Sequence, residues 1–160
     1  MKNLRSFLRY SRDGGFKSAL GFLQSSKIKN RIRTTVDLLD REEQEIHVLV
    51  GSDRVSMALW MAHSWNISTQ KSWNFVFHDD GSLLPSQASE IENVLSGATV
   101  ILDEKANNVV HAQLSRWPLC LQCRNLHPLG RKLFDFFCFT NDNNIPVSYT
   151  HLTLPTKRIV

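Results

Sequence analysis

The chain has 160 residues, 42% of them hydrophobic, and a net charge of +4, which suits one domain with a core of its own. No run approaches the roughly 18 apolar residues of a membrane span, and Arg9, Arg12, Asp13 and Lys17 interrupt the start where a secretory leader would be apolar. The cysteines, Cys120, Cys123 and Cys138, are too few and odd in number for a disulfide framework, so free thiols in a cytoplasmic protein are the expectation.

Residues 1–45 read as a basic helical arm. Its first 34 residues carry nine Lys/Arg against the single acid Asp13, a balance of +8 that leaves −4 for the rest of the chain. Leu4, Phe7 and Leu8 fall at helical spacing, and after the Gly14-Gly15 break so do Phe16, Ala19, Leu20 and Leu23. Two short basic amphipathic helices of this kind pack on their own domain with a solvated basic face, or lie on an anionic membrane surface through residues 1–34; no specific nucleic-acid recognition is expected.

After an acidic turn, DREEQE, the run Ile46 to Val50 predicts a buried strand, bounded by Gly51 and Ser52. The period then changes: Val55, Ala58, Leu59, Ala62 and Trp65 share a helical face. A second strand is expected from Trp73 to His78, followed by a helix with Pro85 in its first turn and Ala88, Ile91, Val94 and Leu95 on one side. Thr99 to Leu102 predicts a third strand, Glu104 to Leu114 a helix, and Pro128 opens another through Leu129, Leu133, Phe136 and Phe137. This alternation predicts an α/β fold: a parallel, Rossmann-like sheet with helices on both faces over residues 46–146. The polar run Asn141 to Asn144 is a turn signal.

In open parallel sheets ligands settle at the carboxyl ends of the strands, and the second strand ends in Asp79 and Asp80, followed by Gly81 and Ser82. A carboxylate at such an edge needs backbone amides, a ligand donor or a cation, so the pair serves either a ligand or an ordinary Asp-Asp-Gly-Ser turn capped onto the next helix. Neither GxGxxG nor GxxxxGK[ST] is present, which removes the dinucleotide fingerprint and the P-loop.

The blocks FVFHDDGSL (75–83), TVILDEKAN (99–107) and RWPLCLQCRNLHPLGRKLFD (116–135) resemble the N-terminal half of a glycosyltransferase of the GT-A, nucleotide-diphosphosugar transferase fold. The resemblance implies that Gly51, Ser52, Asp79, Asp80, Gly81 and Ser82 hold the base and ribose of a nucleotide-sugar donor. It implies that Arg124, His127, Lys132 and Asp135 lie near the donor pyrophosphate or support that wall, as an Arg fork and a Lys point charge suit phosphate oxygens. Lys132 and Asp135, three apart, alternatively pair with each other on one helix face. The family holds a divalent metal, Mn or Mg, with an Asp-x-Asp pair one strand further on; this sequence has no such pair, and Asp142 is a lone carboxylate in a turn. Residues 147–160 contain SYTHLTLP (148–155), which resembles a translated sequencing adapter; the expectation is a non-native tail, with a genuine short C-terminal strand as the alternative, on an N-terminal fragment that binds donor but is itself inactive.

Cys120-Leu-Gln-Cys123 is a single C-x-x-C with a turn in front of it at Pro118, and one half-site does not make a zinc site. His78 stands beside the acids and is a candidate ligand contact, whereas His47 and His63 look like ordinary strand and helix positions. Trp60, Trp65, Trp73 and Trp117 read as packing residues. The function these readings favour is the donor-binding half of a glycosyltransferase that moves a sugar to an acceptor hydroxyl. The alternative is a non-catalytic α/β interaction domain whose basic arm meets membrane or nucleic acid.

Overall fold

The computed structural model describes residues 32–33 and 39–140. The expected arm helices, the 141–144 turn with Asp142, and the tail from Val147 fall outside the described residues, although Ile32 is buried in the core. Three strands, β1 (Asp40–Val50), β2 (Lys71–Asp79) and β3 (Thr99–Ile101), form one parallel sheet in that order. A 3-10 turn (Ser52–Arg54) and α1 (Val55–Thr69) connect β1 to β2, and α2 (Pro85–Val94) connects β2 to β3. Three helices follow: α3 (Asp103–Leu114), α4 (Pro118–Leu126) and α5 (Pro128–Phe139). The α/β architecture and its parallel sheet are as the alternation predicts.

β2 is central, so its second half is buried on both faces, which is why it reads as a continuous apolar run. Phe75 and Phe77 join Ile46, Val48 and Val50 beneath Val55, Leu59 and Ala62 of α1 and Ala88 and Ile91 of α2. The other face carries His47, Val76, His78 and Ile101 under Ala106 of α3 and Phe136 and Phe139 of α5. Each fully buried Leu, Ile or Phe contributes about 1.5 to 3 kcal/mol, and the two clusters clamp the sheet from both sides. α1 stops where Gln70 turns left-handed (φ 58) and returns its N–H to the carbonyls of Asn66 and Ile67. Buried Asn66 then accepts the Trp73 N–H at 3.1 Å, fixing the end of α1 to the start of β2.

One sequence expectation is corrected by the sheet. DREEQE is no turn but the first half of β1, which reaches back into the residues assigned to the arm: Asp40 and Arg41 pair with Lys71 and Ser72, and an irregularity before Glu45 restores the register. An ion pair between Glu42 and Lys71 and a 2.9 Å hydrogen bond from the Asn74 side chain to the Glu42 carbonyl hold this polar half in place. A turn at Ser115 and Arg116 lies ahead of the C-x-x-C, closed by the Trp117 N–H on the Leu114 carbonyl at 2.8 Å. Both cysteines lie on α4, which Pro118 opens, and both thiols are free. Among the described residues no helix is long and apolar enough to cross a membrane.

Candidate functional site

β1 and β2 end side by side, Val50 opposite Asp79, so the loops that follow them meet at the carboxyl edge of the sheet. The Asp80 N–H donates to the Val50 carbonyl at 3.1 Å and extends the pairing by one residue. Asp80 then folds over Gly51: a β-carbon on Gly51 would lie 3.0 Å from the Asp80 Cγ and closer still to Oδ2, so glycine is what lets the carboxylate settle there. Its Oδ1 accepts from the Ser82 N–H at 3.0 Å and the Ser82 hydroxyl at 2.6 Å. The Ser52 N–H donates to that same hydroxyl oxygen at 3.0 Å, and Gln87 of α2 donates to the Ser52 carbonyl at 2.9 Å. Gly51, Ser52, Asp80, Gly81 and Ser82 are thus brought together at the carboxyl edge of the sheet.

Asp79 has a different task. It is buried, and its Oδ1 accepts from the Gly81 and Leu83 N–H groups at 2.8 and 2.9 Å while Oδ2 accepts from the Asp103 N–H at 3.2 Å. Three backbone amides take up this carboxylate, so it shapes the loop and caps α3. Both acids therefore serve the Asp-Asp-Gly-Ser turn, Asp79 with both oxygens and Asp80 through Oδ1, and Asp80 Oδ2 is the oxygen that lies over Gly51 at the edge.

The other predicted group divides in two. Arg124 and Asp135, each 1% exposed, form a bidentate pair with hydrogen bonds of 2.6 and 2.8 Å. Asp135 pairs with Arg124 across the α4–α5 hairpin and not, as its spacing suggests, with Lys132. The reason is geometric: a guanidinium fork fills both carboxylate oxygens at once. His127 accepts the Leu129 N–H through Nδ1 at 3.0 Å and caps α5. Lys132 is half-buried, and burial lowers its pKa from the ordinary lysine value.

Sequence reasoning missed the residue that ties these pieces to the strand ends. Arg131 forms an ion pair with Asp103, and its Nη1 also reaches the Asp79 carbonyl at 3.4 Å. Its Nη2 lies 3.4 Å from where a β-carbon of Gly81 would be, an approach open because Gly81 has none and sits at φ +97. Asn107 bridges the other way, donating to Asp103 at 3.0 Å and accepting from Arg124 at 2.6 Å. A continuous polar chain therefore runs Asp135, Arg124, Asn107, Asp103, Arg131 to the edge of the sheet. Among the described residues no hydrogen bond engages Nη2 or Nε of Arg131, so the edge presents a carboxylate acceptor at Asp80 and guanidinium donors at Arg131.

His47 and His78 are the second omission. Both are fully buried, and His47 Nδ1 lies 2.9 Å from His78 Nε2. His78 therefore faces the sheet interior and not a ligand, and His47 is not an ordinary strand position. Burial, reinforced by His47, pushes His78 down to about 3. Burial also lowers His47, although the Glu45 carboxylate, 3.3 Å from its Nε2, pulls the other way. Both rings are neutral at pH 7: His47 donates to Glu45 and accepts from His78, which leaves His78 Nδ1 buried with no partner among the described residues. The signal was the alternation in IHVLV and FVFHD, which puts both histidines on one face of paired strands.

Among the described residues no three His, Cys, Asp or Glu side chains come together to hold a metal. The divalent ion implied by the resemblance belongs to an Asp-x-Asp pair that this sequence does not have. Comparison with protein-family models, with curated proteins and with solved structures gives no match.

Proposed function

We propose that the carboxyl edge of the sheet takes a nucleoside diphosphate sugar and that the chain supplies the donor-binding part of a glycosyltransferase of GT-A type. The observation that carries this reading is the clasp of the Gly51–Ser52 and Asp80–Ser82 loops, with the Asp80 carboxylate over Gly51 and the Arg131 guanidinium over Gly81. A carboxylate accepts hydrogen bonds from sugar or ribose hydroxyls, and a guanidinium with free donors forks onto phosphate oxygens. In the transfer by the intact enzyme, an acceptor hydroxyl oxygen forms a bond to the anomeric carbon, the bond from that carbon to the diphosphate oxygen breaks, the nucleoside diphosphate leaves with the electron pair, and the hydroxyl proton passes to water. The buried Arg124–Asp135 pair supports the wall behind Arg131.

The test is thermal unfolding of the full chain with uridine or guanosine diphosphosugars, with and without Mn. Stabilisation by one of them, and a loss of about tenfold in its affinity in Asp80→Asn, is the expected result, because Asn keeps the Ser82 contacts and removes the charge. No stabilisation by any nucleotide sugar, or stabilisation that Asp80→Asn leaves intact, overturns the reading. The saturation of Asp79 by three backbone amides favours a second reading, an interaction domain without chemistry, whose signature is indifference to nucleotides together with salt-sensitive retention on anionic surfaces that deletion of residues 1–34 abolishes.

A further inference from the structure

We infer that the side of the molecule built from α4 and α5 docks on an anionic lipid surface. Large apolar side chains stand in solvent there: Trp117, Leu119, Leu126, Leu129, Leu133 and Phe137 are 56, 77, 75, 59, 55 and 60% exposed. At 100° per residue, Leu129, Leu133 and Phe137 form one stripe along α5, with buried Asp135 on the far side; Leu119 and Leu126, seven apart, share a stripe on α4. Trp117 belongs to the same surface, for with Leu133 and Phe137 it lines a groove of about 440 Å³ at the C-terminal end of α3.

Charge is distributed to match. Residues 105–140 hold five Lys/Arg and one acid; with Arg124 buried against Asp135 and Arg131 paired with Asp103, Lys105, Arg116 and Lys132 carry the positive charge of this part, whereas residues 39–104 hold eleven acids against three bases. The cationic stretch of the described chain is therefore also the one with the most exposed large apolar side chains, with Arg116 and Lys132 next in sequence to Trp117 and Leu133. Leu, Phe and Trp that enter the headgroup boundary, flanked by cations that meet lipid phosphates, make an interfacial surface. A second copy is a poorer occupant. Face-to-face contact brings two positive surfaces together, and the other exposed large apolar residues, Met57, Ile67 and Leu84, lie on or beside α1 and α2, which belong to the acidic half.

The experiment mixes the full chain with phosphatidylcholine vesicles, with and without about one-third phosphatidylglycerol. Binding confined to the anionic vesicles and weakened by salt is expected, with Trp117 emission shifted to the blue and quenched by brominated acyl chains; Trp117→Phe identifies that signal among the tryptophans. Leu133→Ser with Phe137→Ser, both at exposed positions, is expected to lower vesicle affinity about tenfold or more. The inference is overturned by absence of binding, by binding that the double variant retains with Trp117 unquenched, which would assign the contact to residues 1–34, or by a dimer in light scattering that the double variant dissolves.

Discussion

Arg124 and Asp135 sit where neither charge can be tolerated alone. Each is out of water, and their two parallel hydrogen bonds, with Asn107 on the remaining guanidinium nitrogen, offset the desolvation. Arg124→Met is expected to destabilise the fold by about 3 to 5 kcal/mol because it strands a buried carboxylate, whereas adding Asp135→Leu recovers most of that loss. Urea denaturation of the two single variants and the double variant measures the coupling; a double variant no better than Arg124→Met would show that the pair does not act as a unit. Residue types at these positions were legible in the sequence, and their partners were not. A carboxylate at a strand end or on a helix announces a need for hydrogen bonds, but Asp79 answers it with amides up to 24 residues away and Asp135 with a guanidinium 11 residues away. Those distances in sequence are set by how loops and helices return to the sheet. Arg131 was illegible for the same reason: only the approach of α5 to Gly81 gives it a place at the edge.

At the scale of elements, the closest packing is that of α4 on α5, joined by His127 alone. A β-carbon on Gly130 would overlap the Cys123 carbonyl oxygen and come within 2.7 Å of the Arg124 Cα. Gly130 is in a helix, where alanine is intrinsically better by about 1 kcal/mol, so the sign of Gly130→Ala tells which effect wins. Backbone cannot give way as a side-chain tip can, and a net loss of about 2 kcal/mol is expected, read as a lowered midpoint in thermal or urea unfolding. A gain in stability would show that the helices stand further apart. The helices α1, α2, α3 and α5 were readable because one face of each meets the sheet, and β2 because its second half is buried on both faces. The first half of β1 was not, since its residues are held by β2 at their backbones and leave their side chains in solvent. α4 escaped notice because its Leu119 and Leu126 point away from the core and its one buried side chain is a cation.

For the whole molecule, the neutral His47–His78 pair couples stability to pH, because it lies where β1, β2 and Phe136 of α5 meet. Unfolded histidines take up protons near pH 6.5, whereas His78 in the fold resists until about 3 and His47 is also lowered. Above pH 6.5 neither state is protonated and stability is at its full value. As pH falls below 6.5 the unfolded chain binds protons that the fold excludes, so stability declines by up to about 1.4 kcal/mol per pH unit for each histidine, and for His78 the decline ends near its folded value. Urea midpoints measured between about pH 6.5 and 5 should fall accordingly, and His78→Gln should make the fall shallower; midpoints flat over that window would show that the rings are already hydrated in the fold.

The acidic first half of β1 also bears on how copies of the chain treat one another. Within the described residues this strand has a neighbour on one side only, and Asp40, Glu42, Glu43 and Glu45 crowd that border with like charge. Neutralised in strong acid, the border loses its repulsion, and pairing of copies along it is the expected outcome, read as growth in light scattering.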